Sequence, residues 1–152
     1  MQNNFMQNIF FLFLIVNFKY SIGQVNQEIQ IKNTINVVFE AMKLSDSTLL
    51  KTVLDPECSL QTIGIKAGQP SIYKKDKIQN FITSIGTLRP NTTLEERLLS
   101  FQINIDEALA IAWTPYEFYI NGKLSHFGTN VFTLIKTDTA WKIVSIIDTR
   151  KK

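Results

Sequence analysis

Hydrophobic residues recur along this chain with two different periods. From Asn26 to Leu44 they fall at Ile31, Ile35, Val38, Phe39 and Met42, spacings of four, three, one and three that make one stripe of an amphipathic helix. Ser45, Asp46 and Ser47 offer a cap for a short second helix carrying Leu49, Leu50 and Val53, stopped by Asp55-Pro56. CSLQTI, from Cys58, reads as a short strand. After a loop with Gly64, Gly68 and Pro70, a third helix places Ile78, Phe81, Ile82 and Ile85 on one face and ends at Gly86. The KKDK run, Lys74 to Lys77, is expected to start that helix as a solvated face.

The period then drops to two. Leu99, Phe101, Ile103 and Ile105 alternate with Ser100, Gln102 and Asn104, the pattern of a strand with one face buried. Asp106-Glu107 turns the chain into a second strand, Leu109 to Ile120. Asn121-Gly122 is a strong hairpin signal, because both residues tolerate the positive φ of a type I′ turn. A third strand follows to Lys136, and Trp141 to Asp148 makes a fourth. The predicted order is three helices enclosing one short strand, then four antiparallel strands.

Turn chemistry predicts which residues face each other. A two-residue turn sets Ile120 opposite Lys123, and in an unbroken ladder His126 then faces Glu117, Asn130 faces Trp113, Leu124 faces Tyr119 and Phe132 faces Ile111. This face is expected to lie against the helices. The opposite face, with Ala110, Ala112, Thr114, Tyr116 and Phe118, is expected outside. A three-residue loop, Asp106 to Ala108, places Phe101 opposite Trp113 and Arg97 opposite Glu117. A two-residue loop inverts every side chain of that strand. Setting Lys136 against Trp141 turns Trp141, Ile143, Ser145 and Ile147 inward, with Asp148 and Arg150 outward. Pro115 introduces an alternative, since a proline in a strand marks an edge or a bulge, and a bulge there exchanges Glu117 for Tyr116 on the inner face.

The helix, helix, strand, helix, sheet order, with WTPYEFY, NGK and HFGTNVFTL and the closing WKIVSIIDTR, resembles the nuclear transport factor 2-like superfamily, in particular its SnoaL-like and lumazine-binding-type members. The resemblance covers about Asn26 to Arg150. It implies an α+β cone, in which a curved antiparallel sheet wraps the N-terminal helices and leaves a pocket on its concave face. The superfamily includes ketosteroid isomerases, scytalone dehydratase and polyketide cyclases, so fold alone does not select an activity.

Within such a cone the candidate catalytic row is Arg97, Glu117 and His126, the only histidine of the chain. A carboxylate beside an imidazole fixes its tautomer, and an arginine keeps that carboxylate ionised, which suits a cofactor-independent acid/base lyase or isomerase. Trp113, Asn130, Tyr119 and Phe101 are the candidate ligand contacts, with Tyr116 added if Pro115 carries a bulge. The same row also serves to satisfy polar residues near a sheet rim. The primary expectation is therefore a small organic ligand in the cone pocket without committed catalysis. A purely structural module is the third possibility, and a homodimer through the outer sheet face is expected with any of them.

Composition narrows the chemistry further. One Cys and one His cannot supply a usual zinc site, one Cys permits no intrachain disulfide, and no phosphate-binding glycine loop or nucleophile elbow is present. No cofactor or metal is expected. Cys58 is read as an inert strand residue. Net charge is +3 with scattered basic residues, too diffuse for a nucleic-acid footprint. Ile9 to Phe18 is an apolar run too short to span a bilayer comfortably, and Ser21 and Gly23 follow as small residues. Residues 1–23 are thus expected to be a cleaved signal peptide, and 24–152 a secreted or periplasmic domain without a membrane anchor.

Overall fold

A computed structural model describes residues 25–152. The expected signal peptide lies outside them. Helix α1 spans 25–44 and buries Ile31, Ile35, Val38 and Met42 of the predicted stripe, with Phe39 partly buried and Ala41 joining the core. It ends at Ser45, whose φ is 56°. Asp46 then caps α2 (Ser47–Val53), its carboxylate accepting from the Thr48 and Leu49 backbone N–H groups at 2.9 Å each. The third helix, α3 (Ile78–Gly86), buries Ile78, Ile82 and Ile85.

The sheet has seven strands: β1 (Leu54–Ile65), β2 (Ile72–Lys77), β3 (Leu94–Leu98), β4 (Gln102–Asp106), β5 (Leu109–Ile120), β6 (Lys123–Lys136) and β7 (Trp141–Lys151). Their order is β2-β1-β7-β6-β5-β3, with β4 also on β5. All pairs are antiparallel except β1 with β7. The KKDK run does not begin a helix. It forms most of β2, exposed along its whole length, because repeated lysines suit a solvated edge strand.

Two strands expected as one are separate. β3 pairs with Tyr116–Ile120 and β4 with Leu109–Trp113, so the chain leaves β5 opposite Thr114 and Pro115. Proline offers no N–H to a ladder. The Pro115 carbonyl still accepts from Leu99 N–H at 2.8 Å.

Which face is inside depends on two single-residue bulges. The Asn121-Gly122 turn forms as predicted, with φ of 51° and 74°, and Ile120 pairs with Lys123 and Tyr119 with Leu124. The ladder then shifts, and Phe118 pairs with His126, leaving Ser125 unpaired as the extra residue. Beyond it, Thr114 pairs with Asn130 and Ala112 with Phe132. From His126 onward the β6 face expected inside is inside, while Leu124, before the bulge, is exposed; on β5 the buried side chains are Ala110, Ala112, Thr114, Tyr116 and Phe118. Leu109, Ile111 and Trp113 are outside and about half exposed. The turn before β5 is the two-residue alternative, Asp106 pairing with Leu109, so Gln102 rather than Phe101 faces Trp113.

The β6–β7 hairpin repeats the device. Lys136 pairs with Trp141 as predicted, but the ladder steps from Leu134–Ile143 to Thr133–Ser145, leaving Val144 as the extra residue. Ile146, Asp148 and Arg150 therefore take the inner face in place of Ser145 and Ile147. Asp148 is buried at 5% exposure.

Candidate functional site

Between α1, α3 and the concave sheet face lies a cavity of about 230 Å³. Its floor is apolar: Val38, Phe39 and Met42 from α1, Phe81 and Ile85 from α3, and Leu94, Phe118, Phe132 and Ile146 from the sheet. Into this floor project Glu96, Tyr116, His126, Asn130, Asp148 and Arg150. The ladder explains their company. Glu96 pairs with Phe118, which pairs with His126, and Asn130 pairs with Asp148 on the next strand, all pointing the same way.

Asp148 is the organising group. Its Oδ1 accepts from Thr62 Oγ1 at 2.6 Å, and its Oδ2 accepts from Arg150 Nε at 2.7 Å. The Tyr116 hydroxyl lies 3.1 Å from the same Oδ2 and 3.0 Å from the Thr149 carbonyl oxygen, and donates between them. A buried carboxylate with these donors is satisfied and holds its neighbours rigidly. Burial, followed by the charges of Asp148 and Glu96, pushes the Tyr116 hydroxyl well above its usual range, so it stays protonated.

Glu96 has a different environment. Its Oε1 accepts from Asn130 Nδ2 at 2.6 Å. Burial pushes its carboxyl up to about 8, the Asn130 bond working against that rise and the Asp148 charge adding to it. Glu96 is therefore largely a neutral acid at pH 7, able to donate as well as accept. His126 packs edge-on to Tyr116, ring centroids 5.8 Å apart, and tilted over Phe118 at 4.8 Å. Burial, then the Arg150 charge, lowers its pKa, so the imidazole is neutral. Its Nδ1 lies 3.2 Å from Ser125 Oγ on the bulge. No carboxylate hydrogen-bonds to it among the described residues.

The residues singled out in the sequence divide between two faces. His126, Asn130 and Tyr116 line the cavity. Tyr116 arrives there through the Ser125 bulge and not through one at Pro115. Arg97 does pair with Glu117, but on the outer face, where Arg97 Nε binds Glu95 Oε1 at 2.9 Å and its guanidinium lies 4.2 Å from the Tyr119 ring centroid. Tyr119 in turn donates to Glu117 Oε2 at 2.6 Å. Trp113 is also outside, and Phe101 is partly buried against the core, away from the cavity wall. Glu117 thus pairs with Phe127 and not with His126.

Glu96, Asp148 and Arg150 were missed. The signal for Glu96 was present in LEERL, where Leu94, Glu96 and Leu98 alternate with Glu95 and Arg97. Asp148 and Arg150 gave no such signal, since the Val144 bulge reverses them. Among the described residues, no group of three or more His, Cys, Asp or Glu side chains is placed to hold a metal ion. Cys58 is buried on β1, where burial and then Asp55 push its thiol up to about 12.

No protein-family model matches the sequence, and no curated protein matches it significantly. Solved structures do resemble it. An NTF2-like protein from Cytophaga hutchinsonii is 14% identical, with a TM-score of 0.65 over 82% of this chain and 98% of that one. An NTF2-like protein with a cystatin-like fold from Novosphingobium aromaticivorans is 11% identical, with a TM-score of 0.65 over 89% of this chain and 88% of that one. A candidate dehydratase of the NTF2-like family from Streptomyces avermitilis is 15% identical, with a TM-score of 0.60 over 84% and 97%. Likeness at these identities speaks for architecture alone. The chain has the NTF2-like, cystatin-like α+β fold.

Proposed function

We propose that this protein is an exported domain that binds a small organic molecule in the cavity between α1, α3 and the concave sheet face. One observation carries the reading: Glu96, Tyr116, His126, Asn130 and the Asp148–Arg150 pair converge on a space whose remaining walls are mainly apolar. An apolar enclosure with a few fixed polar groups is the usual form of a small-molecule site. At about 230 Å³ the cavity lies below the roughly 300–1,000 Å³ of drug-sized sites, so the part of the ligand it encloses is small. Export is supported by the Ile9–Phe18 run with Ser21 and Gly23 behind it. A thermal-shift screen of small neutral phenols, ketones and lactones tests the binding reading against Ser84→Trp, which occludes the mouth from an exposed position on α3. Compounds that stabilise the parent protein should lose that effect on the variant. Equal stabilisation of both would place binding elsewhere.

A second reading, acid/base catalysis of the isomerase or lyase type, is favoured by the position of Glu96. A carboxyl lifted to about 8, lining the same cavity as His126, is poised to exchange protons near neutral pH. In this reading Glu96 takes the role that the sequence had suggested for Glu117. Exchange of ketone α-protons into D2O, followed by NMR, should be accelerated by the protein and slowed by Glu96→Gln. No acceleration over buffer would leave binding alone.

We also propose self-association through the outer sheet face. Leu109, Ile111, Trp113 and Ile135 form an exposed apolar row there, with Arg97 and Glu117 near one end supplying both charge signs. Sedimentation should give a dimer that Trp113→Glu converts to a monomer. A monomeric parent protein would end this part of the proposal.

A further inference from the structure

A second concavity adjoins the cavity. A groove of about 600 Å³ runs along the inner side of β1 and β2 against α3, and shares Leu60, Phe81, Ser84 and Arg150 with the cavity wall. Its chemistry is different. Apart from the Asp148–Arg150 pair the cavity's polar groups are Glu96, Tyr116, His126 and Asn130, whereas the groove adds a second cation, Lys74, to Arg150. Lys74 pairs in register with Thr62, the residue whose hydroxyl holds Asp148, so it points to the groove side of the edge strand.

Both cations have donors to spare. Lys74 makes no hydrogen bond or ion pair among the described residues. Arg150 gives Nε to Asp148, and its Nη nitrogens carry no hydrogen bond among the described residues. The one carboxylate in the groove, Asp76, already accepts from Asn80 Nδ2 and from Lys77 N–H at 2.7 Å each. Asp76 and the Asp148 bound to Arg150 balance these two charges formally, so what distinguishes the groove is its donors: Asp76 Oδ1 and Asp148 are already engaged, whereas Lys74 Nζ and the Arg150 Nη nitrogens are free among the described residues. An anionic end meets free donors of opposite charge.

On the ligand-binding reading above, we infer that the ligand is elongated and amphipathic: a small neutral head fills the cavity beneath Glu96 and Asn130, and an anionic end lies in the groove between Lys74 and Arg150. The head is neutral because the cavity is lined mainly by apolar side chains and its one ion pair, Asp148 with Arg150, is already joined. Arg150 stands at the junction and binds the anion without releasing Asp148, since a guanidinium carries five N–H donors. A carboxylate and a phosphate monoester share this chemistry.

Three probes that differ only at one end test the inference: 1,8-octanediol, 8-hydroxyoctanoate and 8-hydroxyoctyl phosphate, titrated by NMR into the parent protein and into Lys74→Gln. The anions should bind roughly three- to fivefold tighter than the diol, and added salt should weaken only the anions. Lys74→Gln should shrink the anions' advantage over the diol and leave the diol unchanged, and whichever anion loses more identifies the end group. Equal affinity for all three, or an anion preference that Lys74→Gln leaves undiminished, overturns the anionic end while leaving the cavity as a binding site. If none of the probes perturbs cavity residues, the ligand-binding reading fails and takes this inference with it.

Discussion

Replacing Glu96 by Gln should make the protein more stable at high pH and leave it unchanged at low pH. Glutamine keeps the acceptor oxygen for Asn130 Nδ2 and removes the ionisation. In the folded protein the carboxyl titrates near 8 against a reference of 4.5. Between those values the native state holds a proton that the unfolded chain has lost. Stability therefore falls as pH rises through the window, because the slope follows protons bound unfolded minus protons bound native. The full displacement corresponds to a ceiling of roughly 5 kcal/mol at about 1.4 kcal/mol per pH unit. Residual exposure of the residue reduces the expected effect to about 2–3 kcal/mol. Urea unfolding of both proteins from pH 4 to pH 9 isolates it, since other groups cancel in the difference. The curves should coincide below about pH 4.5, and the variant should gain progressively to pH 8. A flat difference, or a parent protein that gains relative to the variant in alkali, would refute the burial of an ionisable carboxyl at this place.

Other positions offer independent checks. Thr114 is fully buried and its Oγ1 has no partner, so Thr114→Val, which keeps the shape, should raise stability by about 1 kcal/mol in denaturant unfolding. A Cβ at Gly128 would stand 1.7 Å from the Thr149 carbonyl oxygen, so Gly128→Ala should cost at least about 2 kcal/mol and disturb the Tyr116 hydroxyl that shares that oxygen. His126 is the only histidine, so its ring signal in a proton NMR titration is unambiguous; the midpoint should lie below 6.5. A lowered base contributes stability above its unfolded pKa that is lost as pH falls through the folded one, so acid should weaken the His126 packing against Tyr116 and Phe118.

Local signals in the sequence carried a good part of this structure. The α1 stripe, the Asp46 cap, the Asn121-Gly122 turn and the pairing of Lys136 with Trp141 all depend on residues a few positions apart, where propensity and periodicity act directly. The sheet faces depend on bulges at Ser125 and Val144, and no short stretch announces either. Hydrophobicity also argued for the opposite face of β5, since Leu109, Ile111 and Trp113 are larger and more apolar than Ala110, Ala112 and Thr114. Packing favours the smaller set: Ala110 and Ala112 share one core with Ile31, Ile35 and Val38, where small residues let a helix approach the sheet. A register argument survives only as far as its ladder is unbroken. That is why His126 and Asn130 were found on the cavity wall while Glu117 and Trp113 were exchanged for Tyr116, and Ser145 and Ile147 for Asp148.

The central claim is that the concave-face cavity, built around Glu96, His126 and Asn130, is where this protein meets its ligand. Backbone amide shifts recorded while compounds from a small-fragment library are titrated in test it most directly. Perturbations should concentrate on β3, the Ser125 bulge, the 128–132 stretch of β6 and the α3 mouth near Ser84, and they should vanish in Ser84→Trp. Shifts confined to the outer row of Leu109, Ile111 and Trp113, or none from any fragment, would contradict it.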